Sequence, residues 1–260
     1  MDARFFCADV VAIVSGGASG IGKAIAAGLL ASGARVTILD LDRAACDAVA
    51  EELSIPYPGM IAAEGCDLRD AASTKSALDS TVAKFGTPDF LVNSVAVTAR
   101  KPALELSDAE IDNILATNFS GVFRLCRMVA EKMLENSGVV ARKKILNIAS
   151  TGAFQGSRNF SAYNASKAAL VSLTKVLANE WYASGINVNA LCPGPTNTPF
   201  VRDYYAAHPE IVAGIISKTP AGRIAEPEDF VGPALFLLSS SSDWIMGEAI
   251  ICDGGKSLNG

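Results

Sequence analysis

The chain is poor in the residues that build metal centres and cationic binding faces. It has one histidine, His208, and six cysteines: Cys7, Cys46, Cys66, Cys126, Cys192 and Cys252. No two cysteines stand at metal-ligand spacing, so no metal site is expected. The thiols read as free groups in a reducing compartment, the cytoplasm. Lys and Arg number 22 against 27 Asp and Glu, a net charge of −5, with no long basic run. Nucleic acid is therefore not an expected partner, and an anionic membrane surface is disfavoured. Aromatic residues are scarce (7 %) while half the residues are apolar. That balance suits small side chains packing helices onto a parallel sheet. The opening MDARFFCADV carries Asp2 and Asp9 and no long apolar run, so it does not read as a signal peptide. Residues 10–34 are oily, but Lys23 and a glycine turn interrupt them. A spanning helix needs about 20 consecutive apolar residues, and no membrane partner is expected. No linker, repeat or low-complexity tract occurs. The 260 residues fit one α/β domain, 1–260.

What the chain does have starts at Val10. Residues Val10 to Ser15 form a β-branched apolar run that reads as a buried strand. The segment Ser15-Gly16-Gly17-Ala18-Ser19-Gly20-Ile21-Gly22 follows, and from Gly20 the pattern turns helical as far as Gly33. The glycines therefore sit on a strand-to-helix turn. Gly16 can take a tight turn, Gly20 lets backbone approach a phosphate, and Gly22 lets helix and strand pack closely. A helix N-terminus offers free N–H groups and a positive dipole end to a pyrophosphate. A second strand, Ala34 to Leu39, ends in Asp40, 18 positions past Gly22. A carboxylate there accepts adenosine ribose hydroxyls and repels a 2′-phosphate. No Arg or Lys occupies Ser19 or Leu41, so NAD is the expected cofactor. Arg43 is the residue that could upset that preference.

Past the middle, Tyr163-Asn164-Ala165-Ser166-Lys167 puts a phenol and an ammonium at i and i+4, on one helix face. A free phenol, with a pKa of roughly 10, is a poor base at neutral pH. A nearby ammonium favours phenolate, which would make Tyr163 a proton acceptor or donor for an alcohol or carbonyl. With both segments in view, the chain resembles the short-chain dehydrogenase/reductase family along nearly its whole length. The glycine spacing G-x-x-x-G-x-G is that family's form. Asp67 and Leu68, in Cys66-Asp67-Leu68, are similar to its adenine-contacting segment. Asn118, Ser150, Tyr163 and Lys167 match its catalytic tetrad in order. Asn93, in Asn93-Ser94-Val95-Ala96, keeps only the first residue of the family's Asn-Asn-Ala-Gly. Pro193, Gly194, Thr196 and Thr198 resemble the segment covering the nicotinamide, and Asp253-Gly254-Gly255 the C-terminal signature.

The resemblance implies that Lys167 binds the nicotinamide ribose, that Ser150 steadies the substrate oxygen, and that Asn118 holds a proton-relaying water. It implies a homotetramer using the helices that begin near Ser107 and Tyr163. The small-molecule substrate would be a secondary alcohol or ketone, most similar to a sugar, polyol or sugar acid. A 3-oxoacyl-thioester reductase stays open as an alternative. So does a non-catalytic dinucleotide sensor, although that predicts a broken tetrad.

Alternating strand and helix patterns predict a Rossmann-type doubly wound parallel sheet of about seven strands. One long helix is expected over 107–135, with a surface loop over 136–143. Residues 195–223 read as the specificity segment and lid. His208 there is expected to be solvated. Arg100, Gln155, Arg158 and Asn159 are expected at the pocket mouth.

Overall fold

The structure, a computed structural model, describes residues 9–135 and 143–259. Cys7, the opening segment and most of the 136–143 loop lie outside them. The strands are β1 (Val11–Ser15), β2 (Arg35–Asp40), β3 (Ile61–Gly65), β4 (Phe90–Asn93), β5 (Lys143–Ile148), β6 (Ile186–Pro193) and β7 (Ala249–Cys252). They pair in parallel in the order β3-β2-β1-β4-β5-β6-β7. The chain reverses direction across the sheet between β1 and β4. Such a switch point opens a crevice at the carboxyl ends of the strands.

The described residues form nine helices: α1 (Gly20–Ala31), α2 (Arg43–Ser54), α3 (Ala71–Phe85), α4 (Asp108–Leu115), α5 (Val122–Glu135), α6 (Ser161–Trp181), α7 (Pro199–Ala207), α8 (Pro209–Ser217) and α9 (Val231–Leu238). Alternation along β1 splits the core into two layers, as side chains on a strand must. Ala12 and Val14 face Ile25 and Leu29 of α1, Val49 and Leu53 of α2, and Leu237 of α9. Ile13 faces Leu78 of α3, Leu125 and Val129 of α5, and Leu170 and Leu177 of α6. Short polar caps set where several helices begin. Asp42 accepts from the Ala45 N–H at 3.1 Å and Asp70 from the Ala72 N–H at 2.9 Å. Ser107 and Glu110 form a reciprocal capping box at α4. Each cap contributes about 1 kcal/mol to its helix.

The helix expected over 107–135 is not uniform. Residues Ala116–Gly121 form a π-helical segment between α4 and α5. The segment widens the turn that carries Asn118, and such insertions recur at functional sites. The five described cysteines are free thiols. No group of three potential metal ligands occurs among the described residues. No described helix is long and apolar enough to cross a membrane.

Candidate active site

The carboxyl ends of the strands surround one cavity of about 710 Å³, within the range that holds cofactor-sized ligands. Its floor on one side is the turn from β1 into α1. Gly16 has φ +69°, and a Cβ there would lie 2.7 Å from the Ser94 carbonyl oxygen. A Cβ on Gly22 would lie 2.0 Å from the Gly16 carbonyl oxygen. The turn therefore closes only with glycine at both places. Ser19 precedes α1 without capping it through its side chain, so first-turn N–H groups remain for an anion. Ser19, Gly20 and Ile21 line the cavity beside them, and Asp40 lines it at the end of β2. These residues fit a dinucleotide: a cradle that side chains would fill, a helix N-terminus, and a carboxylate one strand away. Arg43 is occupied elsewhere, bonded to Asp47 at 2.9 Å and Glu64 at 3.2 Å.

Asp67 and Leu68 also line the cavity, but Arg69 claims the Asp67 carboxylate through its Nε and Nη2, the latter at 2.7 Å. That pairing holds the Asp67 carboxyl below the usual range. Arg69 in turn reaches Asn113 Oδ1 at 2.7 Å, while Arg124 donates to the Leu68 carbonyl.

Across the cavity stand Ser150, Tyr163 and Lys167. Ser150 caps a short 3-10 turn, its Oγ accepting from the Gly152 N–H at 3.0 Å. Lys167 is 2 % exposed and donates to the Ile148 carbonyl at 2.8 Å. Its ammonium lies 5.8 Å from the Tyr163 ring centroid, so the i,i+4 pair does share a face. The expected depression of the Tyr163 phenol is not found. Burial pushes the phenol up, and Ser150 opposes only part of that rise. Burial also pulls the Lys167 ammonium down to about 8, with Cys192 holding it up slightly. The reason is geometric: the ammonium turns toward a backbone carbonyl, and no carboxylate faces it. Pro193, Gly194, Thr196 and Thr198 complete this wall. Thr196 Oγ1 donates to the Gly194 carbonyl at 2.9 Å, and Thr198 precedes α7 as its N-cap.

Three expected residues do not line the cavity. Gly22 acts through packing, as above. Asn93 turns into the core. Its Oδ1 accepts from Ser15 Oγ at 3.2 Å, and its amide donates to Asn147 Oδ1 at 2.9 Å. Asn147 continues to Thr174 Oγ1 at 2.9 Å, so a buried polar ladder ties β1, β4, β5 and α6. The cavity-facing positions are instead Ser94, Val95, Ala96 and Val97. Asn118 is buried in the π segment. It clasps Val97 by accepting from its N–H at 2.8 Å and donating to its carbonyl at 2.9 Å. Its second amide hydrogen goes to Ser166 Oγ at 3.1 Å. Both donors are spent, so a water cannot be held by them.

A family model described as enoyl-(acyl carrier protein) reductase matches residues 16–257. A D-threitol dehydrogenase of Mycolicibacterium smegmatis is 37 % identical over 249 residues, 95 % of this chain and 93 % of that protein. The chain belongs to the short-chain dehydrogenase/reductase family. Another member it is similar to is the 2-dehydro-3-deoxy-D-gluconate 5-dehydrogenase of Escherichia coli, 35 % identical over 259 residues, with 94 % of both chains covered. Among solved structures, one assigned as an NAD(P)-dependent gluconate 5-dehydrogenase from Beutenbergia cavernae, with bound NADP at low occupancy, has a TM-score of 0.91 and 37 % identity. It covers 98 % of this chain and all of that one.

As a short-chain dehydrogenase/reductase, the chain is an oxidoreductase, and the Beutenbergia neighbour was solved with a nicotinamide dinucleotide bound. The cavity also holds residues that sequence reasoning passed over. Phe160, Phe200, Tyr204, Ile211 and Ile215 all line the cavity. The available signal was the i,i+4 spacing of Phe200 with Tyr204 and of Ile211 with Ile215, which puts each pair on one helix face. Arg100, Gln155, Arg158 and Asn159 line the cavity as expected. His208 stays half-exposed, its ring 4.5 Å from that of Tyr204.

Proposed function

We propose that this dehydrogenase moves a hydride between NAD(H) and a secondary alcohol or ketone of the sugar, polyol or sugar-acid type, with Tyr163 as general acid/base. The observation that carries the reading is the joint presence of Ser150, Tyr163 and Lys167 on one wall of the cavity whose other end holds the glycine turn and Asp40. A nicotinamide dinucleotide held by the glycine turn, Asp40 and Lys167 would supply the hydride acceptor or donor, and in its oxidised form a positive charge. Tyr163 gives its proton to a carbonyl oxygen, or takes one from a hydroxyl. Its raised phenol is the donor form at neutral pH. Ser150 Oγ donates to the substrate oxygen and steadies charge there. Lys167 holds a positive charge near the ring and supplies donors for ribose hydroxyls. Asn118 keeps Val97, and with it the loop after β4, in place through its clasp.

The preference for NAD rests on Asp40, whose carboxylate lines the cavity at the end of β2 and would meet the adenosine ribose, and on Arg43 being bonded to acids. A 3-oxoacyl-thioester reductase draws support from the similarity to the 3-oxoacyl-(acyl-carrier-protein) reductase of Escherichia coli, 32 % identical over 248 residues. Asp40 weighs against it, because it disfavours NADPH. Exposed Trp244, Ile251 and Leu258 near β7 suit a subunit contact, in keeping with a homotetramer, and free thiols suit the cytoplasm. The decisive experiment is Tyr163→Phe. The variant should bind NADH with wild-type affinity by fluorescence titration and lose about 100- to 10,000-fold in kcat. Turnover within a few-fold of wild type removes Tyr163 from the chemistry.

A further inference from the structure

Arg100 sits on the loop between β4 and α4. The next residue, Lys101, donates its N–H to the Asn159 carbonyl at 3.2 Å, which pins the loop to the approach of α6. The guanidinium lies 3.5 Å from the Tyr204 ring centroid and 4.9 Å from that of Phe160. Its Nε and Nη1 are buried and have no hydrogen-bond partner. Buried arginine donors in that state are costly. Two rings stacked near a guanidinium stabilise the cation through their faces, but they give its N–H groups nothing to donate to. In the guanidinium plane each of them shares a two-donor edge with Nη2, Nε on one side and Nη1 on the other.

The surroundings carry the same message. The cavity is lined by only two acids, Asp40 and Asp67. Asp40 ends β2 and Asp67 follows β3, both on the β1–β3 side of the switch point, and Arg69 holds Asp67. On the Tyr163 side the charged lining residues are Arg100, Arg158, Lys167 and Lys256, all cations. Phe160 packs near both groups: its ring lies 4.9 Å from the Arg100 guanidinium and 5.9 Å from the Tyr163 ring. One aromatic ring is thus shared by an unpaired guanidinium and the tyrosine.

We infer that Arg100 is a specificity-determining residue that binds a carboxylate on the substrate, held bidentately by a guanidinium edge in the cavity that Tyr163 also lines. The planar fork matches a carboxylate as no lysine does. The preferred substrate is then a hydroxy acid of several carbons rather than a neutral polyol. Tyr204 belongs to α7, so the lid helix covers the same guanidinium and closes over the anion. The inference rests on the dehydrogenase reading but is tested separately from it.

The test uses matched pairs, D-gluconate with D-glucitol and D-threonate with D-threitol. Two quantities are read: the ratio of kcat/KM for acid over neutral partner, and the thermal shift each compound produces with NADH present. Wild type should favour the acids in both. Arg100→Gln should lower the acid/neutral ratio about 10- to 100-fold, the range for losing a charged hydrogen-bonded pair, and abolish the shift given by the acids. NADH affinity is the control for local damage. Arg100→Lys, which keeps the charge without the fork, should fall about fivefold. It carries the test if Arg100→Gln fails to fold. A ratio unchanged by either variant overturns the inference, as does a wild type that favours the neutral partners. Acid binding lost in Arg100→Gln without turnover of any alcohol by wild type sinks the dehydrogenase reading and leaves the carboxylate site standing.

Discussion

Lys167 makes the fold's stability depend on pH in a defined window. The ammonium is buried among Tyr163 of its own helix, Cys192 of β6 and the Ile148 and Val95 carbonyls, with no carboxylate facing it. Burial brings it down to about 8, against 10.5 for a free lysine. Below the folded value both native and unfolded chains hold the proton, and the slope of stability with pH from this group is zero. Between about 8 and 10.5 the native chain has lost the proton while the unfolded chain keeps it. The unfolded state then binds more protons, so stability rises with pH across that window. The full rise is about 3 kcal/mol. Cys192 goes up to about 11 and stays a neutral thiol through most of the window. Lys167→Met keeps much of the side-chain volume and removes the titration. Urea denaturation of both proteins from pH 7 to 11 gives the difference curve. Thiols other than Cys192 contribute equally to both and cancel. Wild type should gain about 3 kcal/mol on the variant between pH 8 and pH 10.5. A difference flat to within about 0.5 kcal/mol would refute the reasoning and mean that the ammonium is hydrated or paired.

Asp40→Ala should raise the NADP/NAD ratio of kcat/KM at least tenfold; an unchanged ratio removes Asp40 from cofactor choice. Asn93→Leu leaves Ser15 and Asn147 short of a partner and should cost about 1–3 kcal/mol, or several degrees in Tm, while NADH affinity stays at wild type. A selective loss of NADH binding would return Asn93 to the cofactor site. Gly22→Ala should lose both stability and NADH binding, because its methyl would overlap the Gly16 carbonyl. Gly214→Ala in α8 meets nothing within 4 Å and should raise stability by about 0.4–1 kcal/mol in the same melts.

How much of this was legible from residues alone depends on the range of the interaction. The β1 turn was, because its glycines answer to backbone geometry within a few positions, and Gly22 packs on Gly16 as expected. Helix starts at Asp42, Asp70 and Ser107 are equally local. Direction of side chains at strand ends was not. Asn93 ends β4, and whether its amide faces ligand or core depends on Asn147 and Thr174, which lie 54 and 81 positions away. The competition of Arg69 for Asp67 is local, yet the resemblance masked it. The phenol was misjudged because pairing along a helix says who is near, while burial decides which charge survives. Arg100 reads as ordinary loop polarity until Phe160 and Tyr204 are brought around it.

The polar ladder Ser15–Asn93–Asn147–Thr174 has a consequence for how the sheet assembles. Each rung is correct only if three strands and one helix arrive in a single alignment. Sliding any of the three strands by one residue would turn its hydroxyl or amide to the other face and strand its partners in oil. Aliphatic neighbours alone tolerate such slips, since one branched side chain replaces another at little cost. The ladder therefore works as a register key: near-miss pairings at the centre of the sheet leave its polar groups unpaired, and the aligned sheet does not.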